Sequence, residues 1–269
     1  MAKKILVIGD TIIDKTVFTE AIGISLESPT LKTKLLSDEI SYGGAANVAK
    51  NIARLGSECS FITIGEVDIP DVRTVSLPGT PAKKTRIWVH RRDSDYRHLQ
   101  INEEASGENK LLLQEIEYIL ASQDVVVICD YGHGVFDPWK IEKIIQRCNN
   151  RDIPIYCSSL ISDSYVDYSV FNGADYVVLN SNEFEKQKEA IDSKIIVTQG
   201  KDGCSVYYGK KQVYQVPSVS VDAIDTTGAG DCFLAAFCSF GLDEIPALKF
   251  ANEYAAKSTL VKGTGFYEE

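Results

Sequence analysis

Six stretches of strand length are apolar almost from end to end: KILVIG (4–9), CSFITIG (59–65), DVVVICD (124–130), IPIYCSS (153–159), ADYVVLN (174–180) and SKIIVTQG (193–200). A strand with one solvated face alternates apolar and polar residues, because successive side chains point to opposite sides. Strands that do not alternate must be covered on both faces, as in a parallel sheet packed between helices. The intervening segments supply those helices: GAANVAKNIARLG (44–56), ENKLLLQEIEYILAS (108–122), DPWKIEKIIQRCNN (137–150) and NEFEKQKEAI (182–191). In the second, apolar residues at 112, 113, 116, 119 and 120 form one helical stripe. The third opens with Asp137 as the predicted N-cap and Pro138 at the first helical position. Two more helices are expected at about 229–240 and 243–262. The pattern predicts one α/β domain over residues 1–269, doubly wound, with a mostly parallel sheet and helices on both faces.

Residues 15–40 and 83–102 break the alternation. Both are rich in Thr, Ile, Val, Arg and Tyr, and the second contains a polar break, RDSD, of hairpin type. They are expected to form a small β-stranded lid outside the main sheet. It would stand over a ligand site at the carboxyl ends of the parallel strands.

A net charge of −10 excludes a general nucleic-acid binder and a binder of acidic membranes. It leaves room for a local basic pocket that takes a phosphorylated small molecule. No apolar run reaches the ~20 residues of a membrane span. MAKKILVIGD reads as a first core strand, since a signal peptide needs a longer apolar run and a small-residue cleavage site. The seven cysteines are odd in number and include no Cys-x-x-Cys pair, which favours buried free thiols in a cytoplasmic protein over disulfides or zinc.

The stretch VDAIDTTGAGDCFLAAFCSF (221–240) places an acid, Asp231, at the mouth of an apolar helix. Gly228, Ala229 and Gly230 can bring main-chain N–H groups close to an anion, and the helix start adds positive potential. Asp231 could there accept a proton from an attacking hydroxyl. From the tripeptide alone, a glycine-rich turn ahead of a core helix is an equally good reading. Four other segments occupy similar places. These are GDTIID (9–14), SYGGAANVAKNIARLG (41–56), LNSNEFE (179–185) and VTQGKDG (197–203), all at predicted strand ends or helix openings.

In this order the segments resemble the ribokinase-like family of sugar kinases across nearly the whole chain. GGAANVA and DTTGAGD, ~180 residues apart, are the most specific signals. The resemblance implies ATP-dependent phosphorylation of a sugar hydroxyl under a β-stranded lid. It makes Asp231 the catalytic base and Gly228, Ala229 and Gly230 the anion hole. Asn180 and Glu183 match the family's Asn-x-x-Glu motif, which helps place Mg2+ and the ATP phosphates, with Glu183 acting on Mg2+ through water. Asp14, Gly43, Gly44 and Asn47 fall where the family holds the sugar. Thr198, Gly200 and Asn252 fall where it holds the nucleotide. Some relatives hold a monovalent cation such as K+, and the matching positions are Asp225 and Thr227. The plainer alternatives are a turn cap for Asp14, an ordinary helix residue for Asn47 and a solvated helix acid for Glu183.

Within the family, three segments resemble bacterial heptose 7-phosphate kinases of ADP-heptose and lipopolysaccharide precursor synthesis. ISLESPTLK (24–32) keeps Ile24, Ser25, Glu27 and Pro29, CDYGHGVF (129–136) keeps Asp130, Tyr131 and Gly134, and KKTRIWVHRR (83–92) keeps Lys84 and Arg86. The likeness implies that Lys84, Arg86 and Asp130 contact a sugar phosphate, and two cations facing a phosphate make chemical sense. A charge-blunted strand edge is the alternative for the lysine and arginine. His133 stands where these relatives carry lysine, and Ser158, Ser159 and Leu160 stand in place of Asp-Pro-Lys. EVDIPDVRTVSLPGTP, after Gly65, is too short and Pro-rich for the helix the family carries there. The chain is expected to be a kinase-only version, without a full last helix or a fused nucleotidyltransferase domain. The expected partners are a sugar phosphate and ATP, with a homodimer through the lid. A kinase for another sugar (fructokinase- or ribokinase-like) and a catalytically silent sugar- or nucleotide-binding relative remain the alternatives.

Overall fold

The computed structural model of the chain describes residues 2–91, 94–106, 113–159, 167–186, 191–241, 243–261 and 263–264. Its first half contains β1 (Lys4–Gly9), β2 (Thr11–Ile24), β3 (Leu31–Gly44), α1 (Ala45–Arg54), β4 (Glu58–Ile64), β5 (Val72–Leu77), β6 (Ala82–Arg91), β7 (Ser94–Glu103) and α2 (Leu113–Leu120). The second half contains β8 (Val125–Asp130), α3 (Pro138–Asn149), β9 (Ile155–Ser159), β10 (Tyr176–Asn180), α4 (Ser181–Lys186), β11 (Lys194–Thr198), β12 (Cys204–Tyr208), β13 (Lys211–Val216), α5 (Ala229–Phe240) and α6 (Glu244–Ser258).

Nine strands form the main sheet in the order β13-β12-β11-β10-β9-β8-β1-β4-β5. Every pairing from β5 to β11 is parallel, and β12 and β13 add an antiparallel edge. The lack of alternation in the strands has a direct cause. Ile5 and Val7 enter a core shared with α1, α5 and α6, whereas Leu6 and Ile8 enter a second core shared with α2 and α3 on the other face. All four are fully buried, so successive residues of the strand interior face apolar packing on both sides. All seven cysteines are buried and unbridged. Among the described residues, no helix is long and apolar enough to cross a membrane.

A second sheet of four strands, β3-β2-β6-β7, lies outside the first. It begins earlier than the sequence suggests, because β2 follows β1 after the single residue Asp10. Residues 72–77, in the Pro-rich stretch after Gly65, form strand β5 beside β4. The first residues of the 108–122 helix, the end of the 182–191 helix, Leu160, and Arg92 and Asp93 of the polar break lie outside the described residues. One detail differs from expectation. Asp137 occupies the N-cap position of α3 without a side-chain capping bond, and its carboxylate pairs instead with Lys140 at 3.1 Å. Pro138 at the helix start already removes one N–H that would need capping.

The edge of the sheet is tied to α6 by one carboxylate. Glu244 accepts hydrogen bonds from Tyr176 (2.7 Å), Lys194 (2.6 Å) and Tyr214. Burial alone would raise its pKa, but these three donors outweigh burial and hold the carboxyl below its ordinary range. Glu244→Ala should destabilise the protein by about 2–3 kcal/mol in urea unfolding at pH 7, mostly through the two phenols, since hydrogen bonds to charged groups contribute on that scale. The half-exposed Lys194 adds little. With the folded pKa depressed, the contribution is present above the unfolded value of 4.5 and is lost as pH falls through the folded value. The gap between wild type and variant should therefore close in acid.

Candidate active site

The segment after β13 reaches α5 through a turn that only glycine fits. Gly228 is the N-cap residue, with φ 76° and ψ 3°. A Cβ there would stand 2.7 Å from Asn47 Nδ2. The first bond of the helical ladder runs from Cys232 N–H to Gly228 C=O (3.0 Å), which leaves Gly230 ahead of the ladder. Of the three predicted anion-hole residues, Ala229 has its N–H bonded to Thr226 C=O at 3.2 Å. Ala229 N–H is thus already used within the turn, while the N–H groups of Gly228, Gly230 and Asp231 lie ahead of the ladder.

Asp231, in the first turn of α5, is held from two directions. Asn47 Nδ2, on α1, donates to Asp231 Oδ2 at 3.1 Å, and the Tyr131 hydroxyl, just after β8, donates to Oδ1 at 3.0 Å. Burial pushes its pKa up to about 6, against the two hydrogen bonds that favour the carboxylate; Asp14 adds to the rise and Lys84 opposes it. An acid with that value is ionised at neutral pH and can accept a proton there.

The 225–230 turn is a partition. On one side lies a cavity of about 540 Å3 whose wall includes Asp14, Arg86, Asp225 and Thr227. On the other lies a cavity of about 420 Å3 lined by Thr198, Gly200, Thr226, Ala229, Gly230 and Asn252. Residues of the turn thus line both cavities, whereas Gly228 and Asp231 line neither. The second sheet roofs the first cavity with Thr16, Phe18, Trp88 and Arg97.

Of the predicted sugar-side residues, Asp14 and Arg86 line the larger cavity, whereas Gly43, Gly44 and Asn47 lie on neither wall. Asp14 is buried and forms an ion pair with Arg86. Gly43 is needed beside it, since a Cβ there would lie 2.6 Å from Asp14 Oδ2. Lys84 pairs with Asp14 in the strand register but lies on neither cavity wall, and its charge acts on Asp231 instead. Asp130 is likewise on neither wall; it accepts from Gly132 N–H (3.1 Å), and burial, helped by Asp10, raises its pKa to about 6. Asp225 Oδ1 accepts from Thr227 N–H (3.0 Å) and hydroxyl (2.8 Å), while Oδ2 accepts from Gly263 N–H (2.9 Å). Both oxygens thus clasp the turn to the C-terminal segment.

On the other side, the Asn-x-x-Glu motif is a capping box. Asn180 Oδ1 accepts from Glu183 N–H (3.0 Å), and Glu183 Oε2 accepts from Asn180 N–H (2.7 Å). Glu183 is 4% exposed, so it is not a solvated helix acid, and burial raises its pKa to about 7. Among the described residues, no group of three or more His, Cys, Asp or Glu could hold a metal ion. A single buried carboxylate suits a Mg2+ that arrives with its nucleotide and keeps its waters better than a resident ion. Asn252 lines the smaller cavity but donates to Val216 C=O (3.1 Å) and Pro217 C=O (3.2 Å), so its amide shapes the wall.

Four residues add to the site beyond those given a role from sequence. Tyr131 bonds the catalytic candidate, Asp10 anchors the loop that carries Tyr131, and Lys50 and Arg97 bring positive charge to the larger cavity. The Asp-Tyr pair of the CDYGHGVF segment was the available signal for Tyr131.

The chain belongs to the pfkB family of carbohydrate kinases, whose sequence profile matches residues 70–269. It is a sugar kinase with a ribokinase-like fold. It is similar to the bifunctional protein HldE of Nitrobacter winogradskyi, 28% identical over 97% of this chain and 61% of the relative. The HldE protein of Bradyrhizobium diazoefficiens is 27% identical over 97% and 60%. The chain thus spans about 60% of the length of these curated relatives. Among solved structures, Escherichia coli phosphofructokinase-2 in complex with potassium superimposes with a TM-score of 0.74 at 17% identity, over 99% of this chain and 95% of that one. Arabidopsis thaliana ribokinase complexed with ribose and ATP gives 0.72 at 17% identity, over 98% and 94%.

Proposed function

We propose that the chain transfers the γ-phosphoryl of Mg-ATP to a hydroxyl of a sugar phosphate, with D-glycero-D-manno-heptose 7-phosphate as the acceptor and its 1-hydroxyl as the nucleophile. The observation that carries this reading is the partition: one turn, followed at once by Asp231, faces a cavity on each side. ATP occupies the cavity of Thr198, Gly200 and Asn252, with its γ-phosphoryl at the glycines of the turn. The sugar occupies the other cavity against Asp14, Gly43 and Gly44, and Asp231 takes the proton of the attacking hydroxyl. Glu183 and Asn180 face Mg2+ through its waters. Arg86, with Lys50 and Arg97, receives the phosphate of the acceptor.

The choice of acceptor draws support from the HldE relatives and from the three segments named above. A monovalent cation at Asp225 and Thr227 would share a carboxylate already bonded to Thr227 and Gly263, so K+ is expected to be dispensable. The second sheet acts as a lid, and its exposed Ile22, Ile24, Leu35 and Leu36 favour pairing with a second copy.

ATP consumption across a panel of heptose 7-phosphate, fructose 6-phosphate, fructose and ribose tests the reading. The highest kcat/KM is expected with heptose 7-phosphate. Preference for a sugar without phosphate would rule out the heptose phosphate, and no turnover with any sugar would favour a silent binding relative.

A further inference from the structure

We propose that Tyr131 is a positioning residue for the reaction: its phenol, with the Asn47 amide, holds the Asp231 carboxylate in its catalytic orientation. The proposal rests on the base assignment above and adds a residue to it. The loop after β8 is fixed from below. Asp10, 2% exposed, accepts the main-chain N–H groups of Tyr131 (2.9 Å), His133 (3.1 Å) and Val135 (3.1 Å). Gly44 completes the fit, since a Cβ there would lie 3.1 Å from the Tyr131 ring and 2.7 Å from the Asp10 carbonyl oxygen. The phenol placed by these contacts reaches Asp231 Oδ1 at 3.0 Å, while Asn47 reaches Oδ2 at 3.1 Å.

A carboxylate with one donor on each oxygen cannot turn without breaking both bonds. Hydrogen bonds to the charged form also favour ionisation. Among the described residues, the other titratable groups around Asp231 are Asp14, which opposes ionisation, Lys84, which favours it, and the thiols of Cys129 and Cys232, whose pKa values burial raises. Burial, and then the Asp231 charge, push the Tyr131 hydroxyl well above its ordinary value, so it stays a donor.

Tyr131→Phe removes the hydroxyl and keeps the ring against Gly44. Its effect can be read without turnover, from the carboxyl-carbon NMR titration of protein labelled with 13C-aspartate. The Asp231 signal is assigned by its loss in Asp231→Asn. The midpoint is expected to move up by about one pH unit, equivalent to about 1.4 kcal/mol. The acid limb of kcat should move by the same amount, with the KM for ATP unchanged. An unmoved midpoint overturns the proposal. Should the variant fold poorly, 3-fluorotyrosine in the otherwise native protein supplies a stronger donor of nearly the same shape. It should lower the midpoint, and an unmoved midpoint there overturns the proposal as well. Because the titration needs no substrate, failure of the kinase mechanism is distinguishable from failure of this assignment.

Discussion

Asp231→Asn is expected to lower turnover by at least 10²-fold, the lower end of what general base catalysis contributes. The substitution keeps size and polarity but removes the proton acceptor. The donors around the site, Asn47, Tyr131 and the glycine N–H groups, stay in place, so the affinity for ATP should change little. The melting temperature should stay within roughly 4 °C of wild type, the equivalent of about 1 kcal/mol. The pH profile adds an independent check. Burial raises the Asp231 pKa to about 6, so the wild-type rate should climb as pH rises through that value and then level off. The Asn variant should lack this rise. Residual turnover above about a tenth of wild type, well outside that range, would mean that Asp231 only ties α5 to Asn47 and Tyr131.

Gly228→Ala should be nearly as damaging, with a fall in turnover on the order of 10²-fold, the scale of losing one anion-hole donor. The backbone at 228 is left-handed, at φ 76°, a conformation that costs a residue with a Cβ about 1–2 kcal/mol. The added methyl would also lie 2.7 Å from Asn47 Nδ2, the atom that donates to Asp231. Strain and the displaced amide both act on the turn, so turnover should fall much further than stability. Steady-state kinetics beside thermal melting checks this. A variant that loses stability and keeps its rate would show that the turn is only structural.

How far the sequence led can be judged from particular residues. The parallel strands were legible because each feeds two cores, which suppresses alternation over a whole strand, as in Ile5 to Ile8. The β12–β13 hairpin is less legible because β13 is mostly exposed and lacks a continuous apolar run. Its signal was the two-residue loop Gly209-Lys210 between the paired Tyr208 and Lys211. At the site, the glycine turn and its acid stood out locally. The groups that hold the acid did not, because Asn47 and Tyr131 lie 184 and 100 residues away in sequence. Only the β1–β8 pairing and the packing of α1 on α5 bring them together. Arg86 was legible as a cation, but its pairing with Asp14 was not, because that contact depends on how β2 and β6 align.

The most direct test is a crystal structure with a non-hydrolysable ATP analogue and heptose 7-phosphate bound together. The account predicts the nucleotide in the cavity of Thr198, Gly200 and Asn252 and the sugar in the cavity of Asp14 and Arg86. It also predicts the γ-phosphoryl at the Gly228 and Gly230 N–H groups, and the 1-hydroxyl within hydrogen-bond distance of Asp231. Both ligands on one side of the 225–230 turn, or a γ-phosphoryl remote from it, would contradict the account.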